Sequence, residues 1–122
     1  MLSLSWLGAL AWRMRRQLLD PVGATSTADV VSTLGAVASQ PDPAAAELGV
    51  RTRRQRSRRG DVARALDEGR VIRTFAFRGA THLMTPDEAG VYLALRAASR
   101  MWERPSWQSH YQLTPAELAR AA

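Results

Sequence analysis

The chain contains no cysteine, which excludes disulfide scaffolds, thiolate zinc sites and cysteine nucleophiles. It contains no lysine either, so its 17 side chains of the lysine and arginine class are all arginine. The two histidines, His82 and His110, have no partner at metal-ligand spacing, so no zinc site or other metal cofactor is expected. No apolar run approaches the roughly 20 residues needed to span a bilayer. The N-terminal stretch is apolar, but Arg13, Arg15 and Arg16 follow it, whereas a signal peptide carries its positive charge in front. These absences describe a cytoplasmic protein. There is no glycine-rich phosphate cradle, no serine-histidine-aspartate spacing, no internal repeat and no low-complexity tail.

What is present suits one domain of ordinary size. The 122 residues are 46% apolar, enough to bury a core without covalent staples. The formal charge is +6. Arginine and alanine usage together match a GC-rich genome, which accounts for the identity of the cations but not for their excess. Excess positive charge favours polyanionic partners, because neutralising phosphates releases counterions. Arginine also forks onto phosphate and onto the guanine edge. The charge is densest from Arg51 to Arg59, where six arginines (Arg51, Arg53, Arg54, Arg56, Arg58, Arg59) occupy nine positions. Such a run is either a phosphate-binding edge or a solvated loop helped by cation placement at a helix C-terminus.

The apolar spacing of Trp6, Leu7, Leu10, Met14 and Leu18 predicts a helix over 3–19, ended by Pro21 and Gly23. A second helix is expected over 25–38, capped by Ser26 or Thr27, with Val30, Val31, Leu34 and Val37 buried. Two prolines, Pro41 and Pro43, then force a turn. A third helix runs from Pro43 to about Arg54, burying Ala44, Ala45, Leu48 and Val50. A short fourth covers 61–68, with Val62, Ala65 and Leu66 inward and Gly69 as a left-handed terminator.

The character changes at Val71. The stretch 71–77 is β-branched and aromatic and reads as a strand, Arg78-Gly79-Ala80 turns, and 81–84 returns. Thr85-Pro86-Asp87-Glu88 is a helix start combining an N-cap, a first-turn proline and a glutamate three residues on. That helix reaches about Arg100. A tryptophan-bearing loop is expected over 102–107, with His110 also in a loop. Thr114-Pro115-Ala116-Glu117 repeats the capping pattern. The last helix then has barely one and a half turns, which is marginal without a packing partner and suggests a chain whose C-terminal portion is missing. The expected fold class is mostly α with a small β-hairpin (α+β). Its layout is that of a winged helix-turn-helix over 1–100, followed by the start of a helical segment over 101–122.

On this layout the arginine run and the hairpin residues Arg73, Arg78, Gly79 and His82 are the candidate DNA contacts. Gly79 permits a tight turn or a close backbone approach. A lone strand histidine is otherwise a hydrogen-bonded structural residue. Read from the residues alone, Gln40-Pro41-Asp42 is a rigid turn with an aspartate capping the next helix. The tryptophans Trp6, Trp12, Trp102 and Trp107 read as packing surface.

Several segments together resemble a known family. They are Ala11-Trp-Arg-Met-Arg-Arg-Gln17, Leu34-Gly-Ala-Val37, Glu47-Leu-Gly-Val-Arg-Thr-Arg53 and, above all, Phe77-Arg-Gly-Ala-Thr-His-Leu83 leading into Thr85-Pro86. The chain is similar to the N-terminal part of winged-helix proteins of the AlkZ-like (YcaQ-like) type, over nearly its whole length. That resemblance implies tandem winged-helix domains, and DNA glycosylases that release damaged or crosslinked bases without a cofactor. It also implies a Gln-x-Gln or Gln-x-Asp motif that positions the attacking water. An amide or carboxylate beside the anomeric carbon orients water and stabilises positive charge on the sugar, and access to the base requires flipping or local opening. Two registers fit the motif. Ala38-Ser39-Gln40 lacks the first glutamine, and Gln40-Pro41-Asp42 is a literal Gln-x-Asp, making Gln40 and Asp42 the catalytic candidates.

Three functions follow: a winged-helix glycosylase domain, a non-enzymatic DNA-binding or regulatory protein on the same fold, or an inactive truncated fragment. For the first two, affinity for duplex DNA is expected to fall steeply between about 50 and 200 mM salt. A flat response in a fluorescence-anisotropy titration excludes phosphate contacts.

Overall fold

The computed structural model describes residues 3, 5–23, 26–40 and 43–121. Asp42 and Pro41 lie outside the described residues. The chain divides into two compact units, Met1–Gly90 and Val91–Ala122.

In the first unit, α1 (Trp6–Arg16) starts at Ser5, whose Oγ accepts from the Gly8 N–H at 3.0 Å. The expected apolar stripe of α1 buries nothing completely, and Trp6, Leu7, Leu10 and Trp12 are exposed. Helix α2 (Thr27–Leu34) opens with a reciprocal cap. The Asp29 N–H donates to Ser26 Oγ at 3.1 Å and the Ser26 N–H to Asp29 Oδ2 at 2.8 Å, so two orphan donors of the first turn are satisfied at once.

The helix expected to continue to Ala38 stops earlier. Gly35 takes a left-handed conformation at φ 75° and caps it. Val37 and Ala38 then form a two-residue strand, β1. After it come α3 (Pro43–Arg51), α4 (Asp61–Asp67), β2 (Ile72–Phe75), a single 3-10 turn at Phe77–Gly79, and β3 (Thr81–Met84). The hairpin of the sequence reading is thus part of a three-stranded antiparallel sheet in the order β1-β3-β2. The succession α2-β1-α3-α4-β2-β3 is the winged-helix layout, with the 77–80 turn as the wing.

Val37, paired with Leu83, lies with it in the core, whereas Arg73, paired with Leu83 from the other side, is exposed. Ala38 and Thr74, paired with His82, share the opposite face. The core joins Val30 and Val31 of α2, Val37, Ala46 and Val50 of α3, Val62 and Ala65 of α4, Val71 and Leu83. Helix α3 therefore buries Ala46 and Val50, a four-residue step, and not Ala44, Ala45 or Leu48; Leu48 is 65% exposed. Its last turn ends at Arg51, short of the expected Arg54. Gly69 is left-handed at φ 66°, as anticipated for the end of α4.

Helix α5 (Pro86–Ala98) begins in the first unit, where Thr85 Oγ1 donates to Glu88 Oε2 at 2.6 Å. In the second unit the 102–107 segment is not a loop. A 3-10 turn at Met101–Glu103 leads into α6 (Pro105–Tyr111). Proline at the first helical position pre-sets its φ, and His110 lies on this helix, stacked edge-on against Tyr111. Thr114 and Glu117 cap α7 (Pro115–Ala121) reciprocally.

Gly35 is the hinge between α2 and β1. Gly35→Ala is expected to lower stability by about 1 kcal/mol, the cost of a left-handed L-residue, read as a shift of the urea midpoint at unchanged m-value.

Candidate nucleic-acid interface and cleft

Gln40 stands where β1 leaves the sheet. The Ser39 N–H donates to the Thr81 carbonyl at 2.9 Å. The Thr81 N–H, whose regular partner would be a backbone oxygen of the departing strand, donates instead to Gln40 Oε1 at 3.2 Å. This bond fixes which end of the amide is oxygen. Ser39 is buried while Ala38 and Gln40 are exposed, so positions 38 and 40 face the same way. Ala38 brings no polar group to that face.

Gln40 opens onto a cleft of about 370 Å³ walled by Gln17, Ala36, Ala38, Gly49 and Arg53. The small side chains leave the space open. Arg53 links the walls. Its Nη1 donates to the Gly49 carbonyl of α3 at 2.6 Å and its Nε to the Gln17 carbonyl, at the end of α1, at 3.0 Å. A residue predicted to contact DNA therefore ties two helices together. Of the two catalytic candidates, the structure places Gln40 on this cleft, and Asp42 is not among the described residues.

The remaining arginines of the run divide by role. Asp61, buried at the start of α4, accepts from the Arg58 backbone N–H at 2.8 Å, from Arg54 Nη1 at 2.7 Å and from Arg64 Nη1 at 3.2 Å. The hydrogen bond from the Arg58 backbone, with the guanidinium groups of Arg54 and Arg64, holds the Asp61 carboxyl below the usual aspartate range, against the opposing effect of burial. Arg54 is drawn in until its side chain is only 12% exposed, and it also reaches Thr27 Oγ1 at 3.5 Å. Glu47 of α3 accepts from the N–H groups of Gly60 and Val62 at 3.0 and 3.2 Å, locking α4 onto α3. Arg51, Arg56, Arg58 and Arg59 are left exposed. Arg51 and Arg59 flank a shallow depression between α3 and α4 that contains Leu48 and Val62. Arg56 and Arg58 line a neighbouring hollow with Arg64.

The wing carries the third group. Arg73, Arg78 and Gly79 are exposed. Arg78 is left-handed at φ 52° and Gly79 at φ 76°, so the tip turns within two residues and presents the Arg78 side chain outward. His82 is half-buried. Its Nδ1–H donates to the Ala80 carbonyl at 2.9 Å, and its ring meets Phe77 edge to face at 5.2 Å.

Comparison with known proteins agrees with this architecture. Residues 31–122 match the family described as DNA glycosylase AlkZ-like. The chain belongs to that family. An interstrand DNA cross-link repair glycosylase of Streptomyces sahachiroi is 40% identical over 114 residues, which are 93% of this chain and 30% of the relative. The solved structure of Streptomyces sahachiroi DNA glycosylase AlkZ is similar with a TM-score of 0.86 and 38% identity, over 98% of this chain and 32% of that one. The chain thus spans under a third of the length of these AlkZ-like relatives.

Sequence reasoning missed Gln17, Arg64, Asp61 and Glu47 as parts of these surfaces. Asp61 had a visible signal, a single carboxylate directly after an arginine run; Gln17 had none, since a residue at a helix end shows no pattern. Asp61→Asn leaves the drawn-in Arg54 without its counter-charge and is expected to destabilise the chain by about 1–3 kcal/mol. Because the folded-state pKa of Asp61 is depressed, its contribution is full above the unfolded-state pKa and is lost as pH falls through the folded value. Denaturation curves between pH 7 and pH 2 should therefore show a loss below about pH 4 in the wild type that is diminished in Asp61→Asn.

Proposed function

We propose that this chain is the DNA-binding, water-holding part of a monofunctional glycosylase that hydrolyses the N-glycosidic bond of alkylated or crosslinked bases. The observation that supports this most is the Gln40 amide, oriented by the Thr81 N–H beside a cleft that small side chains keep open, in a chain of the AlkZ-like family. In the reaction, a water oxygen forms the new bond to C1′ while the C1′–N bond breaks. The bonding pair leaves on the base, neutralising an alkylated, cationic purine, and the surplus water proton goes to solvent. Gln40 retains one acceptor lone pair and the amide N–H₂ to orient that water. Its carbonyl dipole also faces positive charge developing on the sugar, the kind of preorganised stabilisation that dominates many enzymatic rates.

DNA would be gripped through phosphates by the exposed Arg51, Arg56, Arg58 and Arg59, with Arg73, Arg78 and Gly79 of the wing at a groove or the backbone. His82 sets the wing's shape through its bond to Ala80. The C-terminal portion of such a protein would complete the duplex-binding surface.

One observation favours a second reading. Ala38 stands where the motif's first glutamine belongs, which suits a non-enzymatic duplex binder of the same fold. Base release from alkylated and crosslinked duplexes under single-turnover conditions separates the two. The wild type is expected to release base, and Gln40→Ala to slow release by about a hundredfold. Asp42→Asn, in parallel, decides whether the Gln-x-Asp register contributes. Absence of release by the wild type, with duplex binding intact, overturns the glycosylase reading in favour of the binder.

A further inference from the structure

We propose that Gln17, at the C-terminus of α1, supplies the second amide of the water-holding site, in place of the one Ala38 lacks. The inference rests on the glycosylase reading of Gln40. Gln17 and Gln40 come from elements far apart in sequence and wall the same 370 Å³ cleft. Ala38, two residues before Gln40 and facing the same way, contributes only a methyl group to this lining, which leaves Gln17 and Gln40 as its two amide side chains.

Gln17 is held firmly enough for the task. Its backbone N–H donates to the Arg13 carbonyl at 2.9 Å, and the next N–H, of Leu18, to the Arg15 carbonyl at 3.1 Å. The Gln17 carbonyl accepts from Arg53 Nε at 3.0 Å, and the same guanidinium reaches Gln17 Oε1 at 3.5 Å. Arg53 is itself anchored on the Gly49 carbonyl at 2.6 Å, in the opposite wall of the cleft. The next residue, Leu18, is left-handed at φ 57° and packs against the core. A leucine adopts that conformation only where packing holds it there, so the exit of α1 is fixed directly behind the amide.

The two amides divide the work. Gln40 Oε1 already accepts one bond from Thr81 and has one lone pair left for water. The contact of Arg53 to Gln17 Oε1 is long, which leaves that oxygen available as well. Two acceptors on different walls fix both hydrogens of a water, and so aim its oxygen at C1′. One acceptor leaves the water free to rotate about a single bond. The same two carbonyl dipoles face the cationic sugar, so the pair also recognises that charge.

The test uses the full 122-residue chain with Gln17→Ala, Gln17→Glu and, as a surface control, Ser106→Ala at an exposed position of α6. Two quantities are read: single-turnover base release from an alkylated duplex, and the preference for a duplex bearing a cationic pyrrolidine at the abasic position over one bearing neutral tetrahydrofuran. Gln17→Ala is expected to slow release by tenfold or more and to abolish the preference. Melting temperature and affinity for undamaged duplex should stay at the wild-type values. Gln17→Glu keeps the acceptor and is expected to restore the cation preference. Wild-type release and preference in Gln17→Ala overturn the inference and leave Gln40 standing. A wild-type chain that binds duplex but neither releases base nor prefers the cationic duplex overturns the glycosylase reading, and this inference with it. A parallel fall of melting temperature and release in Gln17→Ala, with the cation preference retained, assigns Gln17 to the α1–α3 tie and overturns the inference.

Discussion

The Asp61 carboxylate decides which arginines belong to the fold and which belong to the surface. Six guanidinium groups between Arg51 and Arg59 repel one another, and a helix must start immediately after them. One buried acid satisfies the Arg58 backbone, draws Arg54 inward and leans on Arg64. With Glu47 holding the first N–H groups of α4, the charged segment becomes a short, pinned connection. Everything that faces outward from it does so because these two acids face inward. Truncating either partner of so enclosed a pair costs more than the pair itself contributes, since it leaves a charge stranded.

A second tie, Arg53, does for the cleft what Asp61 does for the loop. Helix α1 buries no residue completely, so packing alone gives it little purchase. The guanidinium of Arg53 spans from the Gly49 carbonyl to the Gln17 carbonyl and sets one wall of the cleft against the other. Its charge is absorbed by two carbonyl oxygens, and it stands among residues whose side chains are mostly too small to fill the space.

The sequence was most legible where a physical signal is local. The capping pairs at Ser26 and Asp29, Thr85 and Glu88, and Thr114 and Glu117 all have their partner three residues away, and each of these three helices starts beside its pair. Gly69 and the 71–84 strands were equally readable. Strand β1 was not, because two residues show no alternation, and Val37 fits the buried stripe of a helix as well as it fits a sheet. Helix α6 was masked because the tryptophans Trp102 and Trp107 straddle its start and read as one loop, although Pro105 marked that start. For the site, the arginine run was visible but its division was not, since only the fold reveals that Arg53 and Arg54 are structural. Gln40 was singled out through the family resemblance, whereas only the fold places Gln17 on the same cleft.

The bond from Thr81 to Gln40 has a mechanical consequence. Thr81 is the first residue of β3 after the wing tip, two positions beyond Gly79. The same backbone that bends at Arg78 and Gly79 therefore carries, two residues later, the donor that aims the amide. The hairpin acts as a lever with its long arm in solvent and its short arm on Gln40. Two residues of backbone separate the left-handed Gly79 from the Thr81 donor, so the exposed turn and the amide it orients share one short stretch of chain.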